Sequence, residues 1–253
     1  MSFQDKVVVI TGAGRGLGFG MARRFGEEGA QVVIAELDPQ LGGQAAQNLR
    51  RKGIAATFES LDVRIPGQSI ALVDKLTAEH GHIDVWVNNA DVVHKAPAES
   101  ISIEAWDEGI AMMLSGAFYC SQAVGRQMLA QGSGVIVNVA SVGGLQYIEG
   151  DVAYSVPQAG LIMLTQALAI EWAKRGVRVV GVAPGVVMTE VVQEGIAKGS
   201  ASLEAYLRRT PMRRFGTVQE IAEAVLFLAS PQASYIVGEV MRVDGGWAAY
   251  QLF

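Results

Sequence analysis

The chain has 253 residues, of which half are hydrophobic and 18% charged, so it can bury a large interior and is not a disordered sequence. Its net charge of −5 comes without any block of Lys and Arg, which argues against a nucleic-acid partner or an anionic membrane surface. A single cysteine, Cys120, excludes an intrachain disulfide, no apolar run reads as membrane-spanning, and no signal-peptide core precedes the first strand, so a cytoplasmic protein is expected.

In chain order, strand-like and helix-like runs alternate. Lys6–Ile10 is followed by a glycine-rich turn and an amphipathic stretch over Leu17–Glu28. Gln31–Ala35 leads to a helical run over Leu41–Lys52, and Ala55–Ser60, Ile83–Val87 and Val135–Val139 continue the series of short Val- and Ile-rich strands. A long helix is expected over Ala111–Gln127 and another over Ala159–Arg175, with Pro157 opening the latter because proline is tolerated in a first turn. Val177–Val182 and Glu239–Val243 complete seven strands. Most of the strands lack polar alternation, as expected where helices cover both faces, so one domain over residues 1–253 is predicted: an α/β, Rossmann-like, doubly wound parallel sheet. The irregular stretch from Met188 to Thr217, about 188–217, reads as a lid over a site.

The turn after the first strand carries the clearest chemistry. Gly12, Gly14, Gly16 and Gly18, with Arg15 and Leu17 between them, allow a tight turn and close approach to a pyrophosphate, which the following helix N-terminus then faces. Glu36, at the end of the second strand, can accept both ribose hydroxyls of NAD and repel the extra phosphate of NADP. Arg15 is the counter-signal, since an arginine in this loop can meet that phosphate; NAD is favoured and NADP kept as the lesser reading. No metal site is expected: His80 and His82 stand two apart with no cysteine near them and read as a surface pair.

The TGAGRGLG loop, Leu61-Asp62-Val63, Asn88-Asn89-Ala90, Ser141, Tyr154 thirteen residues later, Pro184-Gly185 with Thr189, and Val243-Asp244-Gly245-Gly246 together resemble the short-chain dehydrogenases/reductases over essentially the whole chain. The resemblance implies hydride transfer between a nicotinamide and a secondary alcohol or carbonyl in a homotetramer or homodimer. Tyr154 would be the acid/base and Ser141 would orient the substrate oxygen. Asp62 and Val63 would flank the adenine, Asn88 and Ala90 would support the cofactor, and Pro184, Gly185, Val187 and Thr189 would lie near the nicotinamide.

Three positions depart from the family pattern. Gln158 stands where a lysine would serve the tyrosine and the nicotinamide ribose, Met113 where an asparagine would hold a relay water, and Asp91 where a glycine is expected. Gln158 can still hydrogen-bond the ribose, but a neutral amide cannot lower the pKa of a tyrosine as an ammonium does. Two readings therefore stand: an NAD-dependent oxidoreductase with a modified proton pathway, or a catalytically silent NAD-binding subunit or sensor, or a non-redox enzyme, on the same fold. Asp91, His94, Met113, Glu149, Asp151 and Met188 are the candidates for the substrate pocket.

Overall fold

The computed structural model describes residues 2–197 and 203–250. Seven strands, β1 (Val7–Thr11), β2 (Gln31–Glu36), β3 (Ala56–Ser60), β4 (Val85–Asn88), β5 (Gly134–Val139), β6 (Val177–Pro184) and β7 (Val240–Val243), form one sheet in the order β3-β2-β1-β4-β5-β6-β7. Every pairing is parallel, so each connection must cross a face of the sheet. The strand order reverses between β1 and β4, and the crevice at the carboxyl ends of those strands is where a doubly wound sheet leaves room for a ligand.

Side-chain alternation along β1 sorts the core into two layers. Val8 and Ile10 pack with Met21, Phe25, Leu49 and Ile221, from α1 (Gly16–Glu27), α2 (Pro39–Arg51) and, after the intervening helices, α9 (Val218–Ala229). Val7 and Val9 pack on the opposite face with Leu72, Leu76, Val124 and Leu168, from α3 (Pro66–His80), α5 (Ala117–Gln131) and α6 (Val152–Trp172). Helix ends follow local signals: Asp38 accepts from the N–H groups of Gln40 and Leu41 with Pro39 at the first helical position, and Thr217 and Glu220 form a reciprocal capping box. Cys120 lies fully buried beside Ser69, and burial pushes its thiol up to about 12, so it is an inert core residue.

Four expectations need correction. First, α6 does not open at Pro157 but at Val152, with the proline in its interior. The missing proline N–H frees the Ala153 carbonyl from its usual helical partner, and Gly109 lies directly against that oxygen, where any side chain would collide. Close packing at Gly109 thus accommodates the break, and Tyr154 and Gln158 lie one helical turn apart on a shared face. Second, the long helix expected over Ala111–Gln127 has three parts: α4 (Ile103–Gly109), a π-helical turn over Ile110–Gly116, and α5. Third, the stretch after Met188 is not wholly irregular; it contains α7 (Glu190–Ala197) and α8 (Leu203–Arg209), and residues 198–202 between them lie outside the described residues. Fourth, α6 with its last turn, Val152–Arg175, is long and apolar enough to cross a membrane by length and composition alone. Here its inner side, with Leu161, Leu168 and Ala169, is buried on the sheet, while Met163 and Ile170 on its outer side are exposed.

Candidate active site

The cleft forms at the switch point because β1 and β4 deliver two turns to the same place. Thr11 Oγ1 accepts from the N–H of Asn89 at 2.9 Å and of Ala90 at 3.1 Å, and Asn89 Nδ2 donates back to the carbonyls of Thr11 and Gly12 at 3.0 and 3.1 Å. These bonds press the two turns together until a Cβ on Gly12 would lie 2.9 Å from Ala90 Cα, and Gly12 also has a φ of +63°. Glycine is required there on both counts. Asn89 was not singled out in the sequence, although its place beside Asn88 was the available signal. Asn88 itself faces the sheet interior, where it accepts from Trp86 Nε1 and donates to Ser121 Oγ and Asn138 Oδ1.

A cavity of about 460 Å³ runs from this junction. At one end lie Glu36, Leu37, Leu41, Leu61, Asp62 and Val63; in the middle Gly12, Arg15, Gly16, Leu17, Asn89 and Ala90; at the other Asp91, Val93, Met112, Ser141, Tyr154, Gln158, Pro184, Gly185, Val187, Thr189 and Val192. Backbone amides fix the Glu36 carboxylate: Oε2 accepts from Gly14 at 3.0 Å, and Oε1 accepts from Leu37 and Asp38 at 2.8 and 3.2 Å. Arg64 clasps Asp62 through two bonds of 2.8 and 2.9 Å and holds its carboxyl below the usual range. The donor and acceptor set fits an adenine dinucleotide: a helix N-terminus for a diphosphate, a fixed carboxylate for ribose hydroxyls, and an apolar wall at each end.

At the reacting end, Ser141 and Tyr154 line one wall. Burial is the largest influence on the Tyr154 phenol and raises its pKa; the charge of Asp91 raises it further, hydrogen bonding with Ser141 opposes, and Asp151 adds to the rise. Asp91 is open to the cleft yet flanked closely by protein, and that desolvation pushes its carboxyl up to about 6 against the opposing pull of Arg15.

Gln158 is 2% exposed and donates from Nε2 to Met113 Sδ at 3.4 Å. Its Oε1 is buried and has no hydrogen-bond partner among the described residues. The π-helical turn presents Met113 to this contact, a frequent use of the extra residue that a π-turn inserts. Met113 and Gln158, 45 positions apart in the chain, thus form one packed pair.

The remaining pocket candidates separate. Asp91 lines the cleft, whereas His94 turns aside to Glu108, with Nε2 to Oε2 at 2.8 Å, and Val93 takes the lining position. Asp151 is buried behind Tyr154 and pairs with Lys95 Nζ at 3.4 Å; burial raises its pKa against that pairing. Glu149 is exposed and lies outside the lining, because the chain at Gly150 turns it toward solvent. Met188 is also outside the lining: its backbone N–H bonds the Gly216 carbonyl while Val187 and Thr189 on either side face the cleft. Tyr206 on α8 accepts from Lys95 Nζ at 3.4 Å and so ties the segment after Met188 to the loop beyond β4.

A family model described as enoyl-(acyl carrier protein) reductase matches residues 12–248, and the chain belongs to the short-chain dehydrogenase/reductase family. A 3-oxoacyl-(acyl-carrier-protein) reductase of Chlamydia muridarum is 39% identical over 245 residues, covering 96% of this chain and 98% of the relative. A cis-4-hydroxycyclohexanecarboxylate dehydrogenase of Sinomonas cyclohexanicum is 38% identical over 249 residues, covering 98% of each. Among solved structures, levodione reductase superposes with a TM-score of 0.93 at 32% identity, covering 98% of this chain and all of the other. A gluconate 5-dehydrogenase from Burkholderia cenocepacia, in complex with NADP and tartrate, also gives a TM-score of 0.93 at 32% identity, covering 99% and 98%.

Proposed function

We propose that this protein is an NAD(H)-dependent oxidoreductase that interconverts a carbonyl and a secondary alcohol, working chiefly in the direction of reduction. The observation that carries the reading is the presence of Ser141 and Tyr154 on the wall of the same cleft that Glu36 and the glycine loop form at its other end. When bound, the nicotinamide supplies or accepts the hydride. The N-terminus of α1 would hold the diphosphate, Glu36 would accept from the adenosine ribose, and Asp62 and Val63 would flank the adenine. Gln158 Oε1, which has no partner among the described residues, would be the acceptor for a hydroxyl of the nicotinamide ribose.

Direction follows from charge. Both carboxylates that act on Tyr154 favour its neutral form, so the phenol is ready to give its proton to a carbonyl oxygen. Oxidation needs the tyrosinate first, and here that state is opposed by burial and by Asp91. Several solved relatives hold NADP, so the NAD preference rests on Glu36 alone. Its carboxylate would face the dianionic 2′-phosphate, while Arg15 lies in the cleft to soften the repulsion.

The locked Gln158–Met113 pair favours a second reading, a nicotinamide-binding subunit without turnover. Fluorescence titration of NADH followed by single-turnover reduction of cyclic ketones separates the two. Binding with turnover that vanishes in Tyr154→Phe supports the oxidoreductase; binding with no hydride transfer to any carbonyl supports the silent subunit.

A further inference from the structure

The reacting end of the cleft has changed its electrostatic sign relative to the family pattern. Gln158 stands where the family that the sequence resembles would place a lysine, and Asp91 where it would place a glycine, so Arg15 is the one cation among the described residues lining the cleft and Asp91 adds an anion at the end that holds Tyr154. An unpartnered acceptor, the Gln158 carbonyl, is 98% buried in the same wall. Gln158 Nε2 donates to Met113 Sδ at 3.4 Å, so this position gives the cleft no cation and its amide N–H is already engaged. Ser141 supplies a hydroxyl, which can accept as well as donate. A neutral carbonyl depends here on Tyr154 as its proton donor. The surplus of acidic over basic side chains lining the cleft also matches a cationic group, which needs no proton.

We propose that this site reduces iminium ions, the protonated or N-alkylated C=N group of a cyclic or secondary amine precursor, with Asp91 as the counter-ion. The inference rests on the nicotinamide reading above and adds a second reducible group to its carbonyl. The step balances without a proton donor. The dihydronicotinamide gives a hydride, with its electron pair, to the iminium carbon, and the C=N π pair moves onto nitrogen. The substrate is reduced to a neutral amine and the cofactor is oxidised to the nicotinamide cation. One positive charge is present before and after, so Asp91 faces a cation throughout, and Tyr154 has no proton to deliver. Reduction of a ketone in the same place takes the proton of Tyr154 and leaves a tyrosinate near the Asp91 carboxylate.

The test uses the whole chain with three ligands of one shape: the N-methyl dihydroisoquinolinium ion, its protonated tetrahydro product, and neutral tetralol. Calorimetry measures binding of the ammonium product and of tetralol, each with and without NADH. The ammonium is expected to bind about tenfold more tightly than tetralol, as for a hydrogen bond or ion pair to a charged group. Asp91→Asn and, should that variant fold poorly, Asp91→Gly are expected to remove the difference. Stopped-flow loss of NADH with the iminium ion, corrected for its reaction in buffer, should fall in the same variants by about the same factor. Equal binding of ammonium and tetralol, or a preference that survives both Asp91 variants, overturns the inference. NADH binding without ammonium preference overturns the substrate class alone, whereas absence of NADH binding overturns the nicotinamide reading and the reduction with it.

Discussion

Replacing Gln158 by lysine tests how far one charge governs the site. Positions four apart on a helix have Cβ atoms about 6 Å apart, and at an effective dielectric constant of about 20 a full charge at that range is worth about 3 kcal/mol. Divided by 1.36 kcal/mol per unit, this is a downward shift of about 2 units in the Tyr154 pKa, since a cation favours the tyrosinate. The single variant should deliver only part of that shift. Its ammonium would enter a position 2% exposed, with the Met113 sulfur behind it as a weak acceptor, and that desolvation lowers the lysine's own pKa. Met113→Asn restores an amide oxygen there, so the double variant should show the full displacement. Ultraviolet difference titration of tyrosinate, with Tyr154→Phe as the blank, reads the shift without any substrate. The alkaline rise of alcohol oxidation should move toward neutral pH with it. A double variant that still binds NADH but ionises Tyr154 within about half a unit of the wild type would refute the electrostatic account.

Glu36→Ala should bring the affinities for NADH and NADPH to within about threefold of each other by fluorescence titration, chiefly by improving NADPH. Equal affinities in the wild type would remove Glu36 as the discriminator. Asp91→Asn should raise the melting temperature above pH 6 and not below pH 4. The folded carboxyl has its pKa raised to about 6, so ionising it costs stability as pH rises from the ordinary carboxylate value through the raised one, and the amide never ionises. Asp91 is exposed on its cleft side, so solvent screens the effect and the rise should be small; a melting temperature lower at pH 8 than in the wild type would contradict the raised pKa of that carboxyl. Self-association through α6 and α5 is expected because Met163, Ile170 and Phe118 expose apolar side chains on their outer faces. Light scattering should give a dimer or tetramer, and Ile170→Glu with Met163→Glu should shift it toward the monomer; a wild-type monomer at micromolar concentration would end this expectation.

The seven strands and their parallel arrangement were legible because buried strands of Val and Ile carry their own signature, and the glycine loop was legible because tight turns admit few residues. Asp91, Met113 and Gln158 stand out in the sequence as exceptions to the motif that it resembles. Local rules misplaced the start of α6, because the cost of an interior proline depends on what lies against the freed Ala153 carbonyl, and Gly109 comes from another helix. The π-turn over Ile110–Gly116 carried no sequence signal, since its stability rests on what its faces pack against rather than on propensity. Likewise, residue type alone marked Asp91, His94, Glu149, Asp151 and Met188 equally as pocket candidates, and only tertiary structure separated them. Asp91 alone among these five lines the cleft, His94 is spent on Glu108, Asp151 on Lys95, and Glu149 and Met188 lie outside the lining. Sequence by itself determined which chemical groups the protein owns and the sheet that arranges them. The direction of each side chain, and hence the pairing of Gln158 with Met113 that frees a carbonyl oxygen in the cleft wall, was decided by contacts between elements far apart in the chain.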